Sequence, residues 1–171
     1  SVYGSSPRMR FDISVNSMVL EMYRNQKIVV RGKNNSRPFI HIKDAVKAYQ
    51  KVIDAPKNII SGQIFNVGSD EQNFKMGDIA ENIVKATGQK CDLELGDTND
   101  HRSYITSFKK IKEDVGFIPS FSIKDGANEI YNELTEGRLD SSKKTITLEW
   151  YKHIISDQTS FNKLQINNQI L

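Results

Sequence analysis

Residues 27–53 carry the pattern that most restricts the fold of this chain. "KIVVRG" is β-branched and ends at a glycine, which predicts a strand, and "PFIHI" at 38–42 predicts a second, shorter one. A helix is expected from near Asp44, its capping residue, to Ile53. Its predicted inner face comprises Ala45, Val46, Ala48, Tyr49 and Val52. Strands that lead directly into helices are typical of α/β proteins.

Strand and helix patterns continue to alternate, which predicts an α/β fold with at least some parallel strand pairing. Further strands are expected in "GQIFNVGS" (62–69) and "CDLELG" (91–96). Helices are expected over 12–25 with Asp12 as cap, over 76–87 ending at Gly88, and within "SFKKIKEDVGF" and "SIKDGANEIYNEL".

Composition narrows the functional class. A length of 171 residues with 37% hydrophobic and 26% charged residues predicts a single soluble globular domain. No apolar run approaches the roughly 20 residues of a membrane span, and the net charge of +3 forms no basic stripe, so neither a membrane nor a nucleic acid is an expected partner. Cys91 stands alone, which excludes an internal disulfide and suits the cytoplasm.

Catalytic and metal signatures are scarce. The sequence contains no hydrolase, zinc or phosphate-loop motif. His41, His101 and His153 lack metal-ligand spacing, so no metal site is predicted, and His41 is expected to be a packed residue. Cys91 has no activating neighbour in the sequence and is interpreted as structural.

The two ends of the sequence differ in character from its middle. "SVYGSSPRMRFD" indicates the end of a strand entering a turn, which suggests a fragment of a longer protein. From Gly137 the chain becomes polar, so we predict a main portion over 1–136 and a loosely attached tail or short extra helix over 137–171. Trp150 is expected to anchor that tail by packing.

Arginines and an asparagine stand at predicted element ends, where α/β proteins bind ligands. They are Arg10, Arg37, Asn66 and Arg102. The planar fork of arginine can hydrogen-bond two oxygens of a diphosphate at once. Each arginine alone is more often a solvated surface residue, so the argument depends on the set.

These four residues lie in four sequence motifs that follow one another along the chain. The motifs are "VYGSSPRMRFD..VN", "KIVVRGKNNSRPFIHIKDAVKAY", "GQIFNVGS" and "DHRSY". Together they resemble the C-terminal half of the extended short-chain dehydrogenase/reductases, a Rossmann-type family. The closest group is the NAD-dependent nucleotide-sugar epimerases and dehydratases. The resemblance covers about residues 1 to 134.

The resemblance implies roles for individual residues. Arg37 and Arg102 would clamp the diphosphate of a nucleotide sugar and converge on one cleft, with Asn66 at its wall. The nucleotide pocket would be lined by Phe11, Val15 and Asn16, and the strand Ile28, Val29 and Val30 would supply backbone contacts to the base. Tyr3, Ser5, Ser6 and Pro7 would approach the nicotinamide or the sugar. Pro38 departs from the acidic residue that is common after the arginine.

The resemblance also implies what the chain lacks. In the family the glycine-rich NAD fingerprint and the catalytic Tyr-x-x-x-Lys pair lie upstream, so we expect neither here. The leading hypothesis is therefore the nucleotide-sugar-binding portion of an NAD-dependent enzyme, inactive without its NAD-binding half. A non-catalytic sugar-nucleotide or anion-binding module is the alternative. A structural domain that has lost its ligand is the third, and Arg37, Asn66 and Arg102 argue against it.

A cut surface is a further expectation of the leading hypothesis. Val2–Tyr3 and "PFIHI" would be covered by the upstream half, so the chain would expose an apolar patch and an unpaired strand edge there. We therefore expect it to self-associate as a homo-oligomer or to be only marginally stable alone.

Overall fold

The computed structural model describes residues 1–100 and 102–157, together with the backbone of two short strands at 165–166 and 169–170. His101, which the sequence analysis weighed as a metal ligand, lies outside the described residues.

Helices and strands alternate along the described chain. The helices are α1 (Ser14–Asn25), α2 (Ile42–Asp54), α3 (Lys57–Ile60), α4 (Met76–Thr87), α5 (Lys109–Val115), α6 (Ile123–Thr135) and α7 (Thr147–Ser156), with 3-10 turns at Asp70–Gln72 and Lys143–Thr145. The strands are β1 (Val2–Tyr3), β2 (Lys27–Arg31), β3 (Ser36–Pro38), β4 (Ile40–His41), β5 (Asn73–Lys75), β6 (Asp92–Gly96), β7 (Gln165–Ile166) and β8 (Gln169–Ile170).

The strands pair two by two. β1 lies parallel to β4, with Tyr3 opposite His41, and β2 lies parallel to β6 along five residues. β3 is antiparallel to β5, and β7 is antiparallel to β8. The predicted α/β class with parallel pairing is confirmed.

The described core has two parts. In the larger, α1, α4 and α6 pack against one another and against β2, because each helix places apolar side chains on one face. Its members include Tyr3, Phe11, Val19, Ile28, Phe39, Ile79 and Ile130. The smaller part lies between α2 and α5 and is formed by Ile40, Ala45, Ala48, Phe108, Ile111 and Phe117.

Several predicted elements are confirmed. β2 and β6 occupy their predicted positions, and α4 ends at Gly88, whose φ of 64° is the left-handed conformation expected after a helix. α5 and α6 form within the two predicted segments. The short extra helix predicted in the tail is α7.

The strand predicted over 62–69 is wrong. Residues 63–67 have no strand partner among the described residues, and a strand requires one because its backbone groups must pair. Phe65 and Val67 still pack against the smaller core cluster, which explains the apolar pattern that suggested a strand.

The predictions that Asp12 and Asp44 cap their helices are also wrong. α1 begins at Ser14, and Asp12 instead pairs with Arg10, with 3.0 Å between Asp12 Oδ2 and Arg10 Nη2. α2 begins at Ile42 and is capped by His41, whose Nδ1 accepts a hydrogen bond from the Lys43 N–H. "PFIHI" is therefore divided between the end of β3, the strand β4 and the first turn of α2.

The predicted inner face of α2 is only half right. Ala45 and Ala48 are buried, whereas Val46 is 50% and Tyr49 71% exposed. The buried face runs through Asp44, Ala45 and Ala48, and helical spacing puts Val46 and Tyr49 on the other side of α2.

The predicted apolar patch at β1 and β4 is wrong as well. Tyr3, Phe39 and Ile40 are 2%, 1% and 6% exposed. This chain covers them itself: α6 lies directly against the Tyr3 ring at Gly126, Phe39 belongs to the larger core cluster, and Ile40 belongs to the smaller one. Of the residues named for that patch, Val2 is exposed, at 41%.

Candidate functional site

Arg37 lies on β3, and residues 100 and 102–104 lie beside this strand. The Tyr104 N–H donates to the Ser36 carbonyl at 3.1 Å, and the Ser36 N–H donates to Ser103 Oγ at 2.9 Å. Asn35 Nδ2 donates to the Asp100 carbonyl at 2.8 Å. These bonds hold two segments that are distant in sequence at one end of the β1–β4 pair.

The guanidinium of Arg37 stacks on an aromatic ring. Its Cζ lies 5.1 Å from the centroid of Tyr104, and Nη1 donates to the Ser36 carbonyl at 3.0 Å. Such a cation–π contact fixes the plane of the guanidinium. Among the ion pairs of the described residues none involves Arg37, so its remaining N–H groups can meet an anion.

Arg102 is held by a carboxylate. Its Nε and Nη2 donate to Asp100 Oδ1 and Oδ2 at 2.8 and 2.7 Å. The hydrogen bond from the Arg102 side chain holds the pKa of Asp100 well below its usual range, and the charge of Arg37 adds to the lowering. Asp100 therefore occupies the planar fork of Arg102, and Arg37 acts on the same carboxylate only through its charge.

Asn66 completes this end of the strand pair. Its Nδ2 donates to the Ser107 carbonyl at 3.3 Å. It lines a cavity of about 230 Å³ together with Ser1, Pro38 and Tyr104. The structure thus places Asn66 in the same cavity wall as the ring that carries Arg37.

The carboxyl end of β1 opens onto a larger cavity. Ser5, Ser6 and Pro7 follow the strand and line a volume of about 610 Å³, within the usual size of a ligand pocket. Gly4 makes the turn with a φ of 114°, and a Cβ on it would meet His41 Nε2 at 2.5 Å. Only glycine fits here, which fixes where the loop leaves the strand.

A buried histidine and a glutamate brace this loop from below. Because His41 Nδ1 accepts the Lys43 N–H, its ring proton lies on Nε2, which donates to Glu129 Oε2 at 2.8 Å. Glu129 also accepts the Ser5 N–H at 3.2 Å and pairs with the Lys43 ammonium. The histidine ring stacks on Phe121 at 4.5 Å, and the packed role predicted for it is confirmed.

Electrostatics in this cluster favour a charged Glu129. Burial raises the pKa of its carboxyl, but the hydrogen bonds from Lys43, Ser5 and His41 outweigh burial and hold the pKa below its ordinary value. Burial raises the pKa of Tyr3 well above its usual range, and its hydroxyl faces Gln72 Oε1 at 3.4 Å. Tyr3 is thus kept neutral beneath the loop.

The residues predicted to line a nucleotide pocket lie mostly in the core. Phe11, Val15 and Asn16 are buried, and Asn16 bridges the Gly4 N–H and the Arg10 carbonyl, so that it braces the loop between them. On β2, Ile28 and Val30 are buried, whereas Val29 is 39% exposed. Their roles toward a nucleotide stay predictions.

A Tyr-x-x-x-Lys spacing does occur, at Tyr23 and Lys27, so the expectation that the sequence lacks one is wrong as to spacing. The two residues do not share a helix face. α1 ends at Asn25, Gln26 has a φ of 51°, and Lys27 begins β2 and pairs with Glu94. Tyr23 packs edge-on against Tyr131. Tyr23 and Lys27 therefore do not lie next to each other on one helix face, as residues four apart within a helix would.

Sequence reasoning missed Tyr104, Asp100 and Glu129 as parts of the site. Asp100 and Tyr104 are the first and last residues of the motif "DHRSY", and this membership could have pointed to them. Glu129 had none, because its partners Ser5 and His41 are 124 and 88 positions away.

No group of three or more His, Cys, Asp or Glu side chains among the described residues is placed to hold a metal ion. None of the helices described is long and apolar enough to cross a membrane.

Comparison with known proteins places these features in a family context. Residues 1–68 match the model of the NAD dependent epimerase/dehydratase family. The chain is similar to the structure of UDP-glucuronic acid 4-epimerase from Bacillus cereus in complex with UDP-glucuronic acid and NAD. The sequence identity is 21%, the match covers 80% of this chain and 43% of that chain, and the TM-score is 0.66. The chain is also similar to RMD from Pseudomonas aeruginosa complexed with NADPH, with 18% identity over 81% and 47% of the two chains and a TM-score of 0.67.

A third similar structure is TunA, an NAD-dependent NDP-hexosamine 5,6-dehydratase involved in tunicamycin biosynthesis, with 18% identity, a TM-score of 0.65 and coverage of 80% of this chain and 44% of that chain. The chain spans less than half the length of these structures. At such identities the likeness shows a shared fold. The resemblance to the epimerases and dehydratases, and the Rossmann-type extended short-chain dehydrogenase/reductase fold, are confirmed.

Proposed function

We propose that this chain is the nucleotide-sugar-binding portion of an NAD-dependent epimerase or dehydratase. The observation that supports the proposal is the docking of residues 100 and 102–104 on β3, which brings Arg102 and its partner Asp100 beside the strand that carries Arg37. Two guanidiniums on neighbouring segments suit a ligand with two adjacent negative groups. A diphosphate is such a ligand.

In this proposal each arginine binds one part of the diphosphate. Arg37, stacked on Tyr104, presents its free N–H groups to one phosphate. Arg102 exchanges Asp100 for the other, since a carboxylate and a phosphate compete for the same planar fork. Asn66 lies at the cavity wall and can donate its amide to a phosphate or ribose oxygen.

The sugar then reaches the cavity above Ser5–Pro7. The hexose of this ligand is bonded directly to the diphosphate, and we assign it to this cavity at the carboxyl end of β1. Glu129 and Asn16 hold the loop in place.

NAD is the cofactor that this proposal implies, and when bound it would supply the acceptor and donor of the sugar hydride. The loop residues Ser5, Ser6 and Pro7 fit one ring, the nicotinamide or the sugar, because their cavity has about 610 Å³. The 171 residues contain no glycine-rich fingerprint for the cofactor pyrophosphate. We assign that contact, and the proton-transferring Tyr-x-x-x-Lys helix, to a partner NAD-binding half.

One observation favours the alternative, a non-catalytic sugar-nucleotide-binding module. Tyr3, Phe39 and Ile40 are buried by this chain itself and need no upstream half to cover them. In that case Arg37 and Arg102 would bind the sugar nucleotide, and no catalysis would follow.

Calorimetric titration with UDP-glucose tests the proposal. The chain should bind it, and Arg37→Gln should weaken binding about tenfold or more, since a hydrogen bond to a charged group contributes roughly 1.5–3 kcal/mol. Lys90→Gln, which removes one exposed positive charge outside the site, is the matched control. Equal affinity of wild type and Arg37→Gln would reject the diphosphate site.

Activity measurements test whether the chain catalyses a reaction in addition to binding the nucleotide sugar. The 171-residue chain with added NAD should neither epimerise nor dehydrate UDP-glucose, because this sequence does not supply the fingerprint and the helical Tyr-x-x-x-Lys pair. Turnover by the purified chain, followed by NADH absorbance and by chromatography of the nucleotide sugar, would show that the chemistry lies elsewhere in these residues.

A further inference from the structure

The cavity above Ser5–Pro7 has a second wall that lies outside the segment resembling the family. Residues 138–150 contribute this wall, and the structure fixes it firmly. The Phe11 N–H donates to the Thr145 carbonyl at 2.9 Å, and Arg24 Nη2 donates to the Ser141 carbonyl at 2.5 Å. Thr145 is buried. The polar segment after Gly137 is thus part of the cavity.

The acidic side chains of the cavity are already engaged. Glu129 accepts the Ser5 N–H and an ion pair, and Glu133 accepts a hydrogen bond from Ser5 Oγ. Asp140 accepts the Ser142 N–H at 2.8 Å, which holds the pKa of its carboxyl below the usual range. These carboxylates shape the cavity and are not free to meet a cation.

Its basic side chains are not all engaged. Lys43 and Arg138 are each paired with a glutamate. Arg8 and Lys144 also line the cavity, and no ion pair among the described residues involves either of them. The charge of Lys144 helps to lower the pKa of Asp140, but neither Lys144 nor Arg8 forms an ion pair within the described part of the chain, and their positive charge favours an anionic ligand group.

An aromatic ring stands beside these charges. Trp150 lines the cavity, is half-buried, and has Lys144 Nζ at 5.5 Å from its ring centroid. A flat indole face next to an ammonium group can hold a ring ligand by its apolar face and an anionic substituent by its edge. The packing role predicted for Trp150 does not account for this placement.

We propose that residues 138–150 determine which sugar the protein binds: Trp150 packs against the sugar ring, and Arg8 and Lys144 hold a carboxylate on it. The ligand class is a nucleoside diphosphate linked to an acidic sugar. This inference rests on the proposed function, because the diphosphate is held by Arg37 and Arg102.

The test uses the full chain with UDP, UDP-glucose and UDP-glucuronic acid. Trp150 is the one tryptophan of the sequence, so intrinsic fluorescence reports on this cavity directly, while calorimetry reports total binding. Lys144→Gln is compared with Lys143→Gln, an exposed neighbour outside the cavity lining. Trp150→Ala is compared with Tyr151→Ala, an exposed residue on the same helix.

We expect UDP-glucuronic acid to bind about tenfold more tightly than UDP-glucose and to change the Trp150 emission. Lys144→Gln should abolish this preference and leave UDP affinity unchanged, and Lys143→Gln should leave both unchanged. Trp150→Ala should weaken both sugar nucleotides but not UDP, while Tyr151→Ala should weaken neither.

The failures are distinguishable. Binding that depends on Arg37 but shows no preference for the acidic sugar, or a preference that survives Lys144→Gln, would overturn this inference and leave the proposed function standing. An absence of UDP binding, or UDP binding that is indifferent to Arg37→Gln, would overturn the proposed function and this inference with it.

Discussion

At the scale of single residues, the loop above the large cavity depends on how closely α6 approaches β1. A Cβ on Gly126 would lie 2.6 Å from Tyr3 Cε2 and 3.1 Å from His41 Cδ2. Tyr3 and His41 are both buried, so neither ring has room to move away. The glycine is thus needed for packing, although it lies in the middle of a helix.

Gly126→Ala should destabilise the protein. In an exposed helix position the change would stabilise by roughly 0.5–1 kcal/mol, but here the extra carbon overpacks the core, which costs about 1–3 kcal/mol. Urea unfolding measures the difference. Asn132→Ala, an exposed change on the same helix, should be neutral or stabilising. A stabilised Gly126→Ala would mean that the close approach is not real.

Glu129 gives the same region a pH dependence. Its folded pKa is depressed, so its stabilising effect is complete above the unfolded value of about 4.3 and is lost as the pH falls through the folded value. Glu129→Gln should therefore be less stable than wild type by roughly 1.5–3 kcal/mol at pH 7. Below about pH 4 the gap should narrow.

Thermal melting of both proteins between pH 7 and pH 3 measures this gap. Glu81→Gln is the control, because Glu81 is exposed and pairs only with Lys85 one turn away. A gap between wild type and Glu129→Gln that stays constant over the whole range would show that the charge of Glu129 is not what stabilises the loop.

Single residues differed in how far the sequence could predict them. Arg37, Asn66 and Arg102 could be singled out because they stand in motifs whose order is informative, and their role toward a diphosphate stays a prediction. Glu129 could not be found. Its function depends on tertiary contacts with the opposite end of the sequence, and a glutamate on a helix surface has no local signature of such contacts.

At the scale of elements, α2 is joined to the chain after α5 by a buried carboxylate. Asp44 is fully buried, and its Oδ1 and Oδ2 accept the Ser120 and Phe121 N–H groups at 2.9 and 2.8 Å. The aspartate expected to cap its own helix thus satisfies two backbone donors of a different segment. That segment includes Phe121, on which His41 stacks.

Asp44→Ala should cost about 2–5 kcal/mol, because it leaves two buried backbone donors without acceptors. Asp44→Asn should cost less, since one amide oxygen remains to accept. Asp54→Ala, at the exposed end of α2, should change stability by less than about 0.5 kcal/mol. Denaturant unfolding at pH 7 checks all three, and an Asp44→Ala protein as stable as Asp54→Ala would refute this interpretation.

Elements with strong local patterns were predictable, and those that depend on partners were not. β2 and α4 follow from β-branched alternation and from helical spacing ending at Gly88. The strand predicted over 62–69 has the right composition but lacks a described partner, and composition carries no information on partners. α2 was placed two residues late because its cap is a histidine, which is a rare capping residue.

At the scale of the whole molecule, one stripe of exposed apolar side chains lies on α2, and a second, formed by Leu148, Tyr151 and Ile155, lies on α7. Val46, Tyr49 and Ile53 are 50%, 71% and 77% exposed and share one helix face by their spacing. Burying each such side chain is worth roughly 1.5–3 kcal/mol. A stripe of three is therefore a strong incentive for association.

We expect the chain to self-associate through this face. Sedimentation velocity should show a concentration-dependent species for wild type and a monomer for Tyr49→Lys/Ile53→Lys. Ile118→Lys, at a 60% exposed position outside α2 and α7, should behave as wild type. A wild-type chain that is monomeric at every concentration, with a high and concentration-independent melting temperature, would contradict this and favour the autonomous binding module.

The central claim is that Arg37 and Arg102 bind one diphosphate, and affinity for UDP compared with uridine tests it most directly. Calorimetry should show that Arg37→Gln and Arg102→Gln each weaken UDP binding about tenfold or more, because each removes charged hydrogen bonds to a phosphate. Uridine binding should be unchanged in both variants. UDP affinity within twofold of wild type in either variant, or an equal loss for uridine, would contradict the claim.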